Sequence, residues 1–144
     1  MARAAAEGAA AEAEVALRAA PDARPDDVLA ADGLLFICPE NLASMTGAMK
    51  EFFDRCYYPL LGQIEGKAYA TLVCAGSDGE GAVRQIARIA TGWRLKAIAD
   101  PVIITTHAQT PEAIAAPKRV SAVDLAHCRD VGALMAAGLA MGLF

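Results

Sequence analysis

Residues 33–38, Gly-Leu-Leu-Phe-Ile-Cys, form a continuous apolar run. A strand that is buried on one face alternates apolar and polar residues, whereas a strand of a parallel sheet is covered on both faces and loses that alternation. Lys67–Ala75 contains a second run of this kind, and Pro101–Thr106 is a third that is rich in β-branched residues. These runs predict a mostly parallel sheet with helices on both sides.

Helix signals separate the apolar runs. Four segments are rich in strong helix formers or carry apolar residues three and four positions apart. They are residues 2–13, 46–58, 80–93 and 123–141. Strands that alternate with helices in this way imply right-handed crossovers. We therefore expect one three-layer α/β domain over residues 1–144.

The remaining segments predict connections and one further strand. Residues 14–19 alternate between apolar and polar side chains, which indicates a short edge strand. Residues 21–27 are rich in Pro and Asp and predict a turn-rich connection, and Pro111 and Pro117 indicate a loop before the last helix.

Composition excludes several classes of function. The chain of 144 residues is 56% hydrophobic with a net charge of −4, which argues against disorder. Its Lys and Arg residues are scattered, whereas binding to nucleic acid or to an anionic membrane favours a basic patch. There is no signal peptide and no apolar run of about 20 residues, so we expect a cytoplasmic protein without a membrane span.

The cysteines predict neither disulfides nor a metal site. Cys38, Cys56, Cys74 and Cys128 form no Cys-x-x-Cys pair, and the chain lacks the dense cysteine of a secreted disulfide framework. Cys38 and Cys74 lie near the ends of apolar runs, where a thiol usually acts as a small buried hydrophobe. The two histidines lack ligand spacing to these thiols, so no zinc site is expected.

Two loops lie at the edge of the sheet where ligands bind, beyond the carboxyl ends of the parallel strands. The loop Cys38–Gly47 enters a helix beside Ser44 and Thr46, either of which suits a helix cap. Its backbone and amide groups suit the polar edge of a flat heterocycle, with Leu42 and Met45 covering the face. An ordinary capped loop is the alternative.

The second loop, Gly76–Gly81, is less informative. Its glycines allow the backbone to approach a ligand closely, but glycines also simply end strands. It lacks the lysine and hydroxyl of a P-loop and the spacing of a dinucleotide-binding motif. From spacing alone, neither loop indicates a particular function.

A family resemblance adds to this pattern. The run Pro39–Lys50, Pro-Glu-Asn-Leu-Ala-Ser-Met-Thr-Gly-Ala-Met-Lys, followed by Asp54, resembles NAD(P)H-dependent FMN reductases and quinone reductases of flavodoxin-like fold. Their signature is Pro-Glu-Tyr-Asn, then Ser, then Pro-Gly, an aliphatic residue, Lys and a later Asp. Asn41 and Leu42 replace its Tyr and Asn, and Thr46 replaces its second Pro. The resemblance covers about residues 1–105.

The resemblance implies a flavodoxin-like three-layer sandwich that binds FMN. The first loop would hold the flavin ring and ribityl chain, and the second would flank the ring on its other side. The implied cofactor-binding residues are Pro39, Glu40, Asn41, Leu42, Ala43, Ser44, Met45, Gly76, Ser77, Asp78 and Gly79. No catalytic acid or base is implied, because the cofactor carries the chemistry.

The family begins with a strand and a phosphate-binding loop that this chain lacks. Residues 1–9 resemble the middle of the family's first helix, and in the family strand order 2-1-3-4-5 the missing strand lies inside the sheet. Unpaired buried backbone groups cost about 1–3 kcal/mol each, so we expect poor folding or weak FMN binding. Either Met1 is an internal methionine of a longer protein, or a partner chain supplies the pairing.

The leading functional interpretation is an oxidoreductase that passes hydride from NAD(P)H through FMN to a flavin, quinone or similar small-molecule acceptor. A flavodoxin-type electron carrier and a flavin-free interaction domain are the alternatives. His107 follows the last strand and is either a solvated loop residue or a group near flavin or nicotinamide. The stretch Gly138–Gly142 with Phe144 suits tight packing or a dimer contact, and we expect a homodimer or homotetramer.

Overall fold

The computed structural model describes all 144 residues, as six helices and five strands. The helices are α1 (Ala2–Ala9), α2 (Pro25–Ala30), α3 (Gly47–Leu60), α4 (Glu80–Gly92), α5 (Pro111–Ala115) and α6 (Ala122–Ala140). The strands are β1 (Gly33–Asn41), β2 (Ser44–Met45), β3 (Ala68–Ala75), β4 (Lys96–Ala97) and β5 (Val102–Thr105). None of the helices combines the length and the apolar character needed to cross a bilayer.

The sheet is parallel except at one edge. β1 pairs with β3 in parallel from Gly33–Ala68 to Pro39–Cys74, and β3 pairs in parallel with both β4 and β5. β2 returns along the end of β1 as an antiparallel hairpin. The predicted parallel α/β sheet is therefore confirmed, and β1 and β5 reach the carboxyl end of β3, whereas β4 pairs with its first two residues.

Two apolar layers cover the two faces of the sheet. Phe36 of β1 packs against Phe53 of α3 and Trp93 after α4, with ring centroids 5.1 and 6.5 Å apart. On the other face, Leu72 of β3 packs in a second core with Ala5 of α1 and Cys128 of α6. Side chains of a strand alternate between faces, so one apolar run supplies both cores.

The inward face of α3 agrees with the sequence. Its apolar residues at helical spacing are all buried: Met49, Phe52, Phe53 and Cys56. Thr46 caps the helix, because its Oγ1 accepts a hydrogen bond from the backbone N–H of Met49 at 3.3 Å. Ser44 is therefore not the cap, which resolves the choice left open by the sequence.

α1 and α6 cross closely because glycines face backbone at the crossing. A Cβ on Gly8 would lie 2.0 Å from the carbonyl oxygen of Arg129, and one on Gly132 would lie 1.9 Å from that of Ala5. Further along α6, a Cβ on Gly138 would lie 1.9 Å from the ring of Phe144. The Gly138 stretch therefore packs tightly against its own chain.

The predicted strand at residues 14–19 is wrong. These residues are irregular, and Val15 and Leu17 are 39% and 50% exposed. A strand needs a neighbour to receive its N–H and C=O groups. The edge of β1 opposite β3 is paired only at its end, by β2, so residues 14–19 have no strand beside them.

Four short elements were not predicted, namely α2, α5, β4 and the hairpin strand β2, and one predicted helix is shorter than expected. α2 forms within the stretch predicted as a turn because Pro25 occupies its first position and the Asp27 carboxylate accepts from the backbone N–H of Arg24 at 2.8 Å. α5 begins at Pro111 in the same way, capped by Thr110. β4 has only two residues. α1 ends at Ala9 although the Ala-rich pattern continues to Ala13.

Candidate functional site

A tight hairpin projects from the carboxyl edge of the sheet. Glu40 and Asn41 at the end of β1 pair with Met45 and Ser44 of β2, leaving a turn of two residues, Leu42 and Ala43. Both turn residues have positive φ, 52° and 59°. This is the backbone of a type I′ hairpin turn, which matches the twist of the two strands but usually requires Asn or Gly.

Leu42 lies at the tip of this hairpin with an unfavourable backbone conformation and an exposed apolar side chain. Its left-handed backbone costs about 1–2 kcal/mol for a residue with a side chain, and its side chain is fully exposed at 101%. Strain of this kind persists where the surrounding structure imposes it, and it concentrates at ligand sites. An exposed apolar side chain on a strained tip therefore identifies the hairpin as a candidate contact for a flat apolar surface.

The carboxylate of Glu40 ties the hairpin to α4. Its Oε1 accepts from the backbone N–H of Gly79 at 2.9 Å, and its Oε2 accepts from that of Ala82 at 2.9 Å. The first N–H groups of a helix have no partner within the helix, and they carry a partial positive charge that favours a carboxylate. Glu40 thus caps α4 from a different loop.

Gln85 of α4 makes the second connection. Its Oε1 accepts from Ser44 Oγ at 2.9 Å and from the backbone N–H of Met45 at 3.1 Å. Gly81 makes the third, because a Cβ there would lie 2.1 Å from the carbonyl oxygen of Ala43. The hairpin backbone therefore rests directly on the first two turns of α4.

The second loop leaves β3 at Ala75 and enters α4. Gly79 is buried with φ 96°, and a Cβ there would lie 2.5 Å from Ile103 Cγ2. Only glycine combines this backbone with this contact. Ser77 and Asp78 are exposed between Gly76 and Gly79, in the loop that follows the carboxyl end of β3.

A third segment closes the same edge. The backbone N–H and the hydroxyl of Thr106 both donate to the carbonyl oxygen of Ala75, at 2.8 and 3.2 Å. His107 has φ 53° and is exposed, with Nε2 3.2 Å from Thr105 Oγ1. The segment after β5 therefore lies beside the glycine-rich loop, and His107 is a loop residue held in a strained conformation.

The predicted site residues differ in whether their side chains are exposed to a ligand. Pro39, Asn41, Leu42, Ala43, Ser77 and Asp78 are exposed at the edge. Met45 is 3% exposed and belongs to the core, so it does not offer a surface to a ligand. The polar groups of Glu40 and Ser44 are engaged with α4. Gly76 and Gly79 shape the second loop through their backbone.

Sequence reasoning missed Gln85 and Ala82. Gln85 is one polar residue on the exposed side of an amphipathic helix, and Ala82 contributes only a backbone N–H. Neither has a local signal, because both partners lie some 40 positions away along the chain. A glutamate that ends a buried strand before a loop is the only feature that points to them.

The thiols supply no nucleophile at this edge. Burial raises the pKa of Cys38 and of Cys74 above the ordinary thiol value. A thiol is reactive as the thiolate, so a raised pKa lowers its reactivity. No group of three or more His, Cys, Asp or Glu side chains is arranged to hold a metal ion. What remains is a recognition surface that consists of backbone groups, the exposed Asp78 carboxylate and the apolar side chain of Leu42.

These groups fit the ring of a flavin. An isoalloxazine has two flat apolar faces and a polar edge with hydrogen-bond acceptors and donors. The exposed Leu42 side chain suits a face, and the backbone groups around Ser77 and Asp78 suit the edge. Glycines at 76 and 79 carry no side chain, so they allow a flat ligand to approach the backbone of the second loop closely.

Known proteins are similar to this chain over different parts of its length. A model of the NADPH-dependent FMN reductase family matches residues 9–110, which is more than half of the chain. A flavodoxin of Aquifex aeolicus is 39% identical over 68 residues, covering 47% of this chain and 37% of the relative. An NAD(P)H dehydrogenase (quinone) of Acidithiobacillus ferrooxidans is 47% identical over 38 residues, covering 26% and 19%.

One solved structure shows the likeness of the fold. A flavodoxin from the domain Archaea superimposes with a TM-score of 0.73 at 20% identity, covering 96% of this chain and 87% of that chain. The flavodoxin-like fold is therefore shared along nearly the whole chain. The chain spans well under half of the length of either curated relative, at 37% and 19%.

Proposed function

Because the chain belongs to the NADPH-dependent FMN reductase family, we propose that it binds FMN between its two loops and transfers hydride from NAD(P)H to a small-molecule acceptor. The acceptor class is a flavin, a quinone or a similar flat molecule. The observation that carries the proposal is the hairpin tip, where a fully exposed Leu42 is held at φ 52° at the carboxyl edge of the sheet.

Bound FMN would supply the redox chemistry: it would accept hydride from the nicotinamide and pass it on to the acceptor. The chain's own residues position and shield the ring. Leu42 offers an apolar surface to one face, and excluding water from that face protects the reduced state from side reactions. In this proposal, backbone groups of Ser77 and Asp78, which are exposed residues, would bind the polar edge. No side chain is assigned a proton transfer.

Access for two flat substrates follows from the same geometry. The hairpin tip is one thin turn, so it covers part of a ring and leaves the rest open to solvent. A nicotinamide and an acceptor would then occupy that open face in turn. We would then expect ping-pong kinetics, in which the first product leaves before the second substrate binds.

A flavodoxin-type electron carrier is the second candidate. The flavodoxin of Aquifex aeolicus, with 39% identity over 68 residues, favours it. The two functions differ in one respect: a reductase oxidises NAD(P)H, whereas a carrier exchanges electrons with partner proteins and leaves NAD(P)H unchanged.

The visible spectrum of the purified chain tests both candidates. We expect FMN to bind, and anaerobic addition of NADPH or NADH to bleach the flavin band, with recovery when a quinone is added. Bound FMN that NAD(P)H does not bleach, but that dithionite does, would support the carrier. A chain that does not take up FMN would contradict both and would favour the flavin-free interaction domain.

A further inference from the structure

We propose that Glu40 is a positioning residue rather than a ligand of the cofactor: its carboxylate fixes the hairpin tip over the flavin by holding the hairpin to the first turn of α4. This inference rests on the proposed function, since it assigns the role of one side chain within that flavin site. It differs from the family resemblance, which places Glu40 among the residues that contact the cofactor.

The hydrogen bonds of Glu40 engage both of its carboxylate oxygens with α4. Each carboxylate oxygen already accepts one backbone N–H, from Gly79 and Ala82, both at 2.9 Å. The side chain is half-buried between the hairpin and the helix. Hydrogen bonds from backbone N–H groups to a carboxylate are stronger than neutral ones, so exchanging them for a ligand would be costly.

The same contacts decide where Leu42 lies. Leu42 follows Glu40 by two residues, and its side chain is fully exposed, so its own contacts do not set its position. The tip is located by what holds its base. That base is attached to α4 by the Glu40 carboxylate, by the Gln85 side chain and by the backbone contact of Gly81 with Ala43.

The carboxylate also occupies the anion position of α4. The N–H groups at the start of a helix bind phosphate readily when they are free. In this chain two of them, those of Gly79 and Ala82, are bound to Glu40. A phosphate of FMN or of a nicotinamide nucleotide is therefore not expected at this helix end, and α4 serves to locate the hairpin.

The substitution Glu40→Gln tests the role. The amide keeps the length of the side chain and one acceptor oxygen. Its NH2 group would face a backbone N–H, and an NH2 group cannot accept a hydrogen bond from it. We expect the FMN dissociation constant to rise about tenfold, as loss of one such hydrogen bond implies. In the ligand-free protein, hydrogen exchange at the Ala82 or Gly79 amide should speed up by at least tenfold.

Glu80→Gln is the matched control. Glu80 lies in the first turn of α4, is exposed and accepts no hydrogen bond from the chain. Its substitution therefore removes the same charge without removing a hydrogen bond between α4 and the hairpin. We expect a change of less than twofold in both measurements. An equal effect of the two substitutions would mean that charge at the helix end matters and the tie does not, which would overturn the inference.

A double-mutant cycle separates positioning from general destabilisation. Leu42→Ala should weaken FMN binding in the wild-type background and have a clearly smaller effect in the Glu40→Gln background, because the tip is then no longer held over the ring. Additive effects, or a Glu40→Gln variant with wild-type affinity, would overturn this inference alone. Failure of the wild-type chain to bind FMN would overturn the proposed function and this inference with it.

Discussion

Gly81 lies against the carbonyl oxygen of Ala43 so closely that a Cβ at position 81 would be 2.1 Å from it. This contact joins the first turn of α4 to the hairpin tip, two segments that are some 40 residues apart in the chain. The two loops of the candidate site are therefore in direct contact with each other. Preorganisation of a site lowers the entropic cost of binding.

Gly81→Ala should push the hairpin away from α4. We expect the free energy of unfolding to fall by about 1–3 kcal/mol, as for overpacking in a core, although alanine is the better helix former. FMN affinity should fall as well, because the tip moves. Gly47→Ala is the control, since position 47 begins α3 with open space around it and should be neutral or slightly stabilising. Chemical denaturation and FMN titration measure both.

Leu42→Gly should separate stability from binding. Glycine adopts φ 52° without strain, so we expect the free energy of unfolding to rise by about 1 kcal/mol. FMN affinity should fall, because the apolar side chain is lost. Leu42→Ala keeps the strain and loses most of the side chain, so it should weaken binding without the gain in stability. Unchanged affinity in both variants would show that the tip does not touch the flavin.

Gly132→Ala should destabilise the crossing of α1 and α6 without altering the site edge. A Cβ there would lie 1.9 Å from the carbonyl oxygen of Ala5, and backbone cannot yield as a side chain can. We expect a loss of about 1–3 kcal/mol in the free energy of unfolding. Thermal denaturation measures it against Gly47→Ala. A wild-type melting curve for Gly132→Ala would show that the two helices are not in close contact.

Trp93→Phe should cost about 1–3 kcal/mol. The indole is 1% exposed, stacks on Tyr57 with ring centroids 5.7 Å apart, and donates from Nε1 to the Tyr57 carbonyl oxygen at 3.0 Å. Phenylalanine leaves that space partly empty and the carbonyl without its donor. Tyr58→Phe, on a ring that is 80% exposed, should change the denaturation midpoint little. Equal midpoints for both variants would contradict the packing described here.

Buried thiols should make the protein less stable in alkali. Burial raises the pKa of Cys56 and of Cys128 above the ordinary value of 9.0. Above pH 9 the unfolded chain loses thiol protons that the folded chain keeps, so the free energy of unfolding should fall as pH rises from that value towards the raised pKa. Cys128→Ala should flatten the fall. A variant with the same slope as wild type would contradict this linkage.

The sequence predicted most elements because their signals are local. The apolar runs before Cys38 and Ala75 became the two longest strands, and the spacing of Met49, Phe52 and Phe53 indicated the buried face of α3 correctly. The segment around Leu17 failed for the opposite reason. Alternation describes a strand only when another strand pairs with it, and pairing is a property of the whole sheet.

The structure confirms where the two predicted loops lie and corrects the position of one side chain. A Pro-Glu motif after a buried strand located the first loop, and the glycines after Ala75 located the second. The assignment of Met45 to the ring face was wrong, because period-two alternation in β2 turns that side chain into the core. Glu40 was identified as a site residue, but its partners were not visible in the sequence.

The sequence by itself determined the fold class, since helix and strand periods, caps and turn residues depend on neighbours a few positions away. Only the tertiary structure decided that Glu40 and Gly81 join the two loops, because each contact spans about 40 residues and involves backbone groups that every residue carries. Hydrophobic pattern specifies which faces are buried. It does not specify which backbone N–H a carboxylate will meet, and that meeting is what holds Leu42 in place.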